Sequence, residues 1–265
     1  MGARIYSLAG LDTKSFVRCV GCVDHNAMHR FGTTLETILR RAGVIRVVSS
    51  LGTDLRCRMN PNRASRLITR LQGRRRSYVA PPTGLLDSRN RATFLSGQLA
   101  FRGVLESIEG TAVIDGYFWP PREIGHLEDT LVLEIEKGRV TRIRGYSVTV
   151  EMLDRWFGND PREIQHLCIG FNSGATLSGK LLEAERALGC LTIGIGSFPV
   201  HADGVLKNAS IAVDSRFIQE NGSFVDRRLS DLVRRLSRRA GSPLALFTCP
   251  RPSQPGSRGR SQATT

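Results

Sequence analysis

The sequence predicts an α+β fold in which a mixed, largely antiparallel sheet is packed with helices. Residues 131–144 alternate apolar and polar side chains on both sides of Lys137-Gly138, which is typical of a β-hairpin. Apolar residues recur at helical spacing in 33–43 and 148–158, and each stretch ends in glycine. Because strands and helices do not alternate strictly, the pattern does not favour a purely parallel α/β sheet.

The other elements follow from local patterns, taken in chain order. A β-branched run after the first helix predicts a strand, and a turn then opens into a second strand. Later apolar runs predict one strand that enters a proline-marked turn, two further strands with a helix between them, and an amphipathic helix near the end. These elements are expected at 44–50, 54–59, 109–121, 164–172, 177–189, 190–196 and 227–239.

Composition divides the chain into four segments. Residues 1–60 are predicted to be a remnant of an N-terminal α/β segment, and 61–95 a basic loop and helix excursion. Residues 96–240 are predicted to form the α+β domain that carries the candidate metal ligands. The Pro-, Gly- and Ser-rich stretch 241–265 is predicted to be disordered. At 265 residues the chain is long enough to bury a sizeable core.

The chain is strongly basic, with 38 Lys and Arg against 24 Asp and Glu and a formal charge of +14. Such a balance can mark a nucleic-acid partner. The arginines are not interleaved with aromatic residues, which make up 6% of the chain, so we interpret them as solvated faces. This interpretation disfavours a nucleic-acid partner, and a basic nucleic-acid-binding module is the alternative. No membrane partner is expected, because the sequence has no long apolar run and no signal peptide pattern. These features predict a cytoplasmic protein with reduced cysteines.

Four potential zinc ligands crowd the stretch CVGCVDHNAMH, namely Cys19, Cys22, His25 and His29. Structural zinc sites normally take their two ligand pairs from separate elements, whereas two residues separate the pairs here. The spacing therefore favours small buried thiols beside surface histidines, and a zinc site is the alternative.

A second group of candidate ligands lies in the second half of the chain. His166 opens an apolar strand, while His201 and Asp203 follow the strand 190–196 with one residue between them. Two neighbouring strands could bring these side chains together. Two histidines and one carboxylate form the ligand set of non-haem Fe(II) oxygenases. Because the pattern H-x-D also arises by chance, a polar turn without a metal stays open on these residues alone.

Longer motifs carry a family resemblance. The run HLCIGFNSGATLSGKLLEAERALGCLTIGIGSFPVHADGVLKNASIAVD resembles the C-terminal core of the aminopeptidase T superfamily. SSLGTDL, SGQLAFRGVLESIEGTAVIDG and LEIEKGRVTRIRG match the same pattern, so the resemblance spans roughly residues 35 to 220. That superfamily contains dinuclear metallo-aminopeptidases and 2,5-dihydroxypyridine 5,6-dioxygenase. It normally carries a further α/β segment ahead of this region, and the resemblance implies that this segment is shortened here.

The resemblance distinguishes the two branches position by position. In the peptidase branch a glutamate stands where this chain has His166, a further glutamate falls at Gln98, and a second histidine stands near Thr192. Glutamine and threonine are poor metal ligands, so the ligands for a second metal are missing. The chain therefore resembles the dioxygenase branch more closely.

That branch implies one Fe(II) held by His166, His201 and Asp203. It implies an extradiol-type, ring-cleaving dioxygenase that acts with O₂ on a small hydroxylated aromatic such as a dihydroxypyridine. Glu106 in the stretch VLESIEG is implied as the catalytic acid or base, because the family places a carboxylate in the strand at this position. The alternatives are a metal-dependent, leucyl-type aminopeptidase and a catalytically inactive relative, and homo-oligomerisation is left open.

Overall fold

The structure is a computed structural model that describes residues 11–60, 76–84, 95–122 and 124–236. The helices of these residues are α1 Thr13–Phe16, α2 His25–Arg40, α3 Ser147–Phe157, α4 Leu181–Ala184 and α5 Arg227–Leu236. The strands are β1 Val44–Val48, β2 Asp54–Arg58, β3 Tyr78–Val79, β4 Gln98–Arg102, β5 Glu109–Ile114, β6 Tyr117–Trp119, β7 Gly125–His126, β8 Leu131–Glu136, β9 Arg139–Arg144, β10 Ile164–Gly170, β11 Leu191–Ile195, β12 Ala202–Leu206, β13 Ser210–Val213, β14 Arg216–Glu220 and β15 Ser223–Phe224.

The strands form two large antiparallel sheets. The eight-stranded sheet has the order β15-β14-β13-β1-β2-β5-β8-β9, and the seven-stranded sheet has the order β3-β4-β10-β11-β12-β6-β7. The described helices lie among and around these sheets, so the α+β class predicted from the sequence is confirmed.

One hydrophobic core joins the two sheets. In the seven-stranded sheet, Leu167 and Ile169 of β10 and Ile193 of β11 are fully or almost fully buried in this core. Successive side chains of a strand point to opposite faces. Their neighbours along the strands, His166 and Gly194 among these, therefore face away from the core, and this second face carries the candidate metal residues.

Helix α2 closes the end of the core beside α5 and β4. It begins after Asp24, whose carboxylate accepts a hydrogen bond from the Ala27 backbone N–H at 3.0 Å and so caps the first turn. Phe31 on its apolar side is fully buried between two other rings, with centroid distances of 5.0 Å to Phe171 and 4.8 Å to Phe224.

Truncating this ring tests how much the α2 contact contributes to stability. Phe31→Ala is expected to lower the free energy of unfolding by about 3–5 kcal/mol, because the loss of a buried ring leaves a cavity that the surrounding side chains fill incompletely. Phe198→Ala is the matched control, since Phe198 is 93% exposed, and it should change stability by less than about 0.5 kcal/mol. Urea unfolding of both variants measures the difference, and equal midpoints would contradict this account of the core.

Several local predictions are confirmed. The hairpin at 131–144 is β8 and β9, and its turn residues Lys137 and Gly138 have φ of 48° and 76°, the left-handed values that a two-residue hairpin turn requires. Helix α3 ends at Gly158, also at positive φ. Helix α5 buries Leu229, Leu232 and Leu236, as the apolar stripe predicted.

The prediction of one strand over 109–121 is wrong. The chain breaks at Asp115 and Gly116, so β5 joins the eight-stranded sheet and β6 joins the seven-stranded sheet. The Gly116 N–H donates to the Val205 carbonyl, which directs the chain onto β12. His126 and Gly125 form the short strand β7 beside β6.

The prediction of a helix over 177–189 is also largely wrong, because only α4, a single turn, is helical. Residues of this stretch form hydrogen bonds that are not those of a helix. Glu183 is fully buried and accepts hydrogen bonds from Thr176 and Ser178, which draws its side chain back toward the preceding loop. The Arg186 carbonyl accepts from the Asn172 N–H instead of continuing a helix.

The four-segment division of the chain stays a prediction. Its boundaries at 60, 95 and 240 fall at or inside stretches that lie outside the described residues, as do most of the basic excursion and the whole tail 241–265. Within the described ranges, β1 and β2 pair with β13 and β5 of the third segment. No helix there is long and apolar enough to cross a bilayer.

Candidate metal centre

Three potential ligands meet on the face of the seven-stranded sheet that is turned away from the core. His166 comes from β10, Asp203 from β12, and His201 from the residue just before β12. One ligand atom from each residue lies within 4.8 Å of the other two. His166 Nε2 is 3.0 Å from Asp203 Oδ1, and His201 Nε2 is 3.3 Å from Asp203 Oδ2. The carboxylate therefore faces both imidazoles.

Gly194 of β11 makes this meeting possible. The strand order places β11 between β10 and β12, so His166 and Asp203 lie on alternate strands, and the expectation that they lie on neighbouring strands is wrong. In the register, Gly194 pairs with His166 on one side and with Asp203 on the other. A Cβ added to Gly194 would lie 2.5 Å from His166 Cε1 and Nε2. Only glycine leaves room for the imidazole to cross β11 and reach Asp203.

Hydrogen bonding orients the second histidine. His201 Nδ1 lies 3.0 Å from the Gly196 carbonyl oxygen. A carbonyl only accepts, so Nδ1 carries a proton and donates to it. This contact leaves Nε2 as the nitrogen that faces Asp203, which is how histidine ligands are held in metal sites.

The electrostatics of the three groups are strongly linked. Burial alone would raise the pKa of Asp203, but hydrogen bonds from His166 and His201 outweigh it and lower the pKa to about 2. Burial disfavours the charged form of His166, yet its contacts with Cys168 and with the Asp203 carboxylate raise its pKa well above the usual value. The pKa of His201 is raised against burial by the same carboxylate. The buried Asp203 carboxylate thus favours the protonated forms of both neighbouring imidazoles.

The donor set fits a single divalent metal. Two imidazole nitrogens and one carboxylate on one side of an ion leave its other positions open, as in non-haem Fe(II) oxygenases. With metal bonds of about 2.1 Å, nitrogen and oxygen ligands on one side of an ion lie about 3.0–3.4 Å apart. The two separations of 3.0 and 3.3 Å between the imidazoles and the carboxylate fit that range. Among the described His, Cys, Asp and Glu residues, no other such group is present.

The positions at which the peptidase branch has further ligands are occupied differently. The Gln98 amide donates to Glu185 Oε2 at 2.5 Å, so it is engaged by a carboxylate. Thr192 is fully buried two residues before Gly194, and its hydroxyl has no hydrogen-bond partner among the described residues. Burial raises the pKa of Glu185, whose side chain is 14% exposed. No sequence pattern singles out Glu185, which lies within the predicted helix at 177–189.

The remaining candidate residues lie apart from the triad. Glu106, predicted in a strand, is exposed in the 3₁₀ turn Leu105–Ser107 and makes no hydrogen bond or ion pair to the triad. Its catalytic role stays a prediction. Cys19 is fully buried, which raises its pKa to about 12, while His25 and His29 are exposed on α2. Cys19, Cys22 and these histidines do not form a metal-binding group in the described structure.

Comparisons with known proteins add a family and a fold. The model of the family NicX: 2,5-dihydroxypyridine 5,6-dioxygenase matches residues 22–190, a range that includes His166 but ends before His201 and Asp203. No curated protein matches the chain. The solved 2,5-dihydroxypyridine dioxygenase from Pseudomonas putida KT2440 is similar with a TM-score of 0.67 and 21% identity, covering 82% of this chain and 64% of that one.

A second solved structure, wild-type AmpT from Thermus thermophilus, is similar with a TM-score of 0.50 and 11% identity, covering 77% of this chain and 56% of AmpT. At these identities the structural likeness shows the fold. The chain spans about two thirds or less of the length of both solved proteins.

Proposed function

Because the chain belongs to the 2,5-dihydroxypyridine 5,6-dioxygenase family, we propose that it is an Fe(II)-dependent dioxygenase that opens a hydroxylated aromatic or N-heteroaromatic ring. The observation that carries this proposal is the convergence of His166, His201 and Asp203 around one point on the outer face of the sheet. This ligand set belongs to Fe(II) enzymes that leave positions for O₂ and substrate. The substrate class would be a dihydroxypyridine or a related ring.

The chain's own residues would prepare the site. His166 and His201 would each present Nε2, and Asp203 would supply the one negative charge among the three ligands. Bound Fe(II) would supply the positions at which O₂ and a ring hydroxyl oxygen come together. The Gly196 carbonyl would keep His201 oriented, and Gly194 would keep the path of His166 clear.

Proton transfer from the ring hydroxyl is the role proposed for Glu106. A carboxylate is a suitable acceptor for such a proton. Glu106 lies apart from the triad in an exposed turn after β4, so this role rests on the family resemblance and not on a contact with the triad. No second metal site is part of this proposal, because an amide at Gln98 and a hydroxyl at Thr192 replace ligands of the peptidase branch.

Metal content and substrate choice test the function together. After anaerobic reconstitution, we expect about one equivalent of iron per chain. The iron-loaded chain should consume O₂ when 2,5-dihydroxypyridine is added, and it should not cleave a leucyl anilide. Chelation of the iron should abolish the O₂ consumption. Uptake of two zinc or cobalt ions with anilide cleavage would show instead that the chain is an aminopeptidase.

A further inference from the structure

A cationic side chain lies next to the triad on the same face of the sheet. Phe101 of β4 pairs with Leu167 of β10, so the antiparallel register places the next residue, Arg102, beside His166. Ala100 and Cys168 pair in the same register, and they share a face with Arg102 and His166 because side chains alternate along a strand. Arg102 therefore lies beside His166, on the side of the candidate metal site that is nearest β4.

Arg102 is held in place, but within the described residues its charge has no acidic partner. Its Cζ lies 5.5 Å from the ring centroid of Tyr78, with which it pairs across β3 and β4. The Tyr78 hydroxyl donates to the Gln165 carbonyl at 3.0 Å, which fixes the ring. Arg102 Nε is buried and has no hydrogen-bond partner, and no carboxylate in the described part of the chain forms an ion pair with Arg102.

The unpaired N–H at Arg102 Nε points to a ligand that accepts a hydrogen bond from it. Leaving such a donor unpaired costs free energy, whereas a guanidinium presents a planar fork that matches a carboxylate. Stacking on Tyr78 fixes the plane of that fork in advance, so little side-chain freedom would be lost when an anion binds.

The opposite border of the metal position is aromatic. Trp119 of β6 pairs with Asp203, and its side chain is 37% exposed. A planar ring bound at the metal position would therefore have an indole on one side and a guanidinium on the other. Two strand spacings, about 10 Å, separate the backbones of Arg102 and Gly194. The Arg102 side chain can cover part of this interval, and a ring with a substituent can cover the rest.

We propose that Arg102 sets the substrate class, and that the preferred ring carries a carboxylate in addition to its hydroxyl groups. One hydroxyl oxygen would lie at the metal and the carboxylate would pair with Arg102. A ring without the carboxylate would leave Arg102 Nε unpaired, so it would bind more weakly. This inference rests on the proposed function, because it takes the triad as the place where a ring hydroxyl binds.

A matched pair of probes isolates the carboxylate. 2,5-Dihydroxybenzoate and 1,4-dihydroxybenzene differ only by that group, and calorimetry without O₂ measures their binding to the iron-loaded chain. We expect the parent chain to prefer the carboxylate by about 10- to 100-fold, which is typical of a hydrogen bond to a charged group. Arg102→Gln should bring the two affinities close together. Arg102→Lys should keep part of the preference, because it retains the charge and loses the fork.

Arg142→Gln is the control, since Arg142 is exposed on β9 of the other sheet, and it should keep the parent's preference. Equal binding of both probes by an iron-loaded parent would overturn this inference alone. A preference that survives in Arg102→Gln would also overturn it, because the carboxylate would then bind the metal and not the guanidinium. Failure of the parent to take up iron would instead refute the proposed function, and this inference with it.

Discussion

Replacing Asp203 with alanine is expected to lower the affinity of the chain for Fe(II) at least about 100-fold. Asp203 is the only anionic member of the triad, and both of its oxygens face an imidazole. Two neutral imidazoles alone hold a divalent ion weakly, and even the loss of a group that only supports a ligand costs about 10- to 100-fold. Iron content after anaerobic reconstitution and gel filtration measures the effect.

The matched variants separate loss of a ligand from loss of the fold. His166→Ala and His201→Ala should lose iron as Asp203→Ala does. Asp203→Asn keeps one oxygen without the charge, so it should bind iron more weakly than the parent. His126→Ala should retain a full equivalent, because His126 lies on β7 against Tyr117. With circular dichroism confirming that each variant folds, a full equivalent of iron in Asp203→Ala would exclude the triad as the metal site.

The second large effect is expected at a residue that cannot bind metal. Gly194→Ala would place a methyl group 2.5 Å from His166 Cε1 and Nε2, a distance at which the ring must move. Because β11 lies between the two ligand-bearing strands, the ring would move away from Asp203. We expect Fe(II) affinity to fall about 10- to 100-fold, the range found when groups that orient metal ligands are altered.

Gly21→Ala is the control for this substitution. The nearest atom to its added Cβ would be Val17 Cγ1 at 3.8 Å, which is ordinary contact, so iron binding should not change. Iron titrations of both variants and the parent, with melting temperatures to confirm folding, make the comparison. Parental affinity in Gly194→Ala would show that His166 does not need the path across β11.

The elements predicted correctly are those whose cause is local. The hairpin at Lys137-Gly138, the helix that ends at Gly158 and the amphipathic helix α5 each follow from turn chemistry or from apolar spacing within one stretch. The α+β class follows from the mixture of such patterns. The family prediction, which rests on longer motifs, is confirmed by the match over residues 22–190.

The failures have tertiary causes. The segment 177–189 has helical spacing, but the buried Glu183 and the hydrogen bond from Asn172 to the Arg186 carbonyl override it. In the site, the sequence provided the three candidate ligands but not their route to one another. Strand order determines that β11 lies between them, and the importance of Gly194 arises only from that order. A glycine in an apolar strand has no signature that distinguishes this role.

The measurement that tests the central claim most directly is the fate of isotope-labelled O₂. The iron-loaded chain is supplied with ¹⁸O₂ and 2,5-dihydroxypyridine, and the product is analysed by mass spectrometry. If the chain is a ring-cleaving dioxygenase, both oxygen atoms of one O₂ molecule should appear in a ring-opened product, and His166→Ala should form none. An intact ring after incubation with a chain that carries one equivalent of iron would contradict the proposed function.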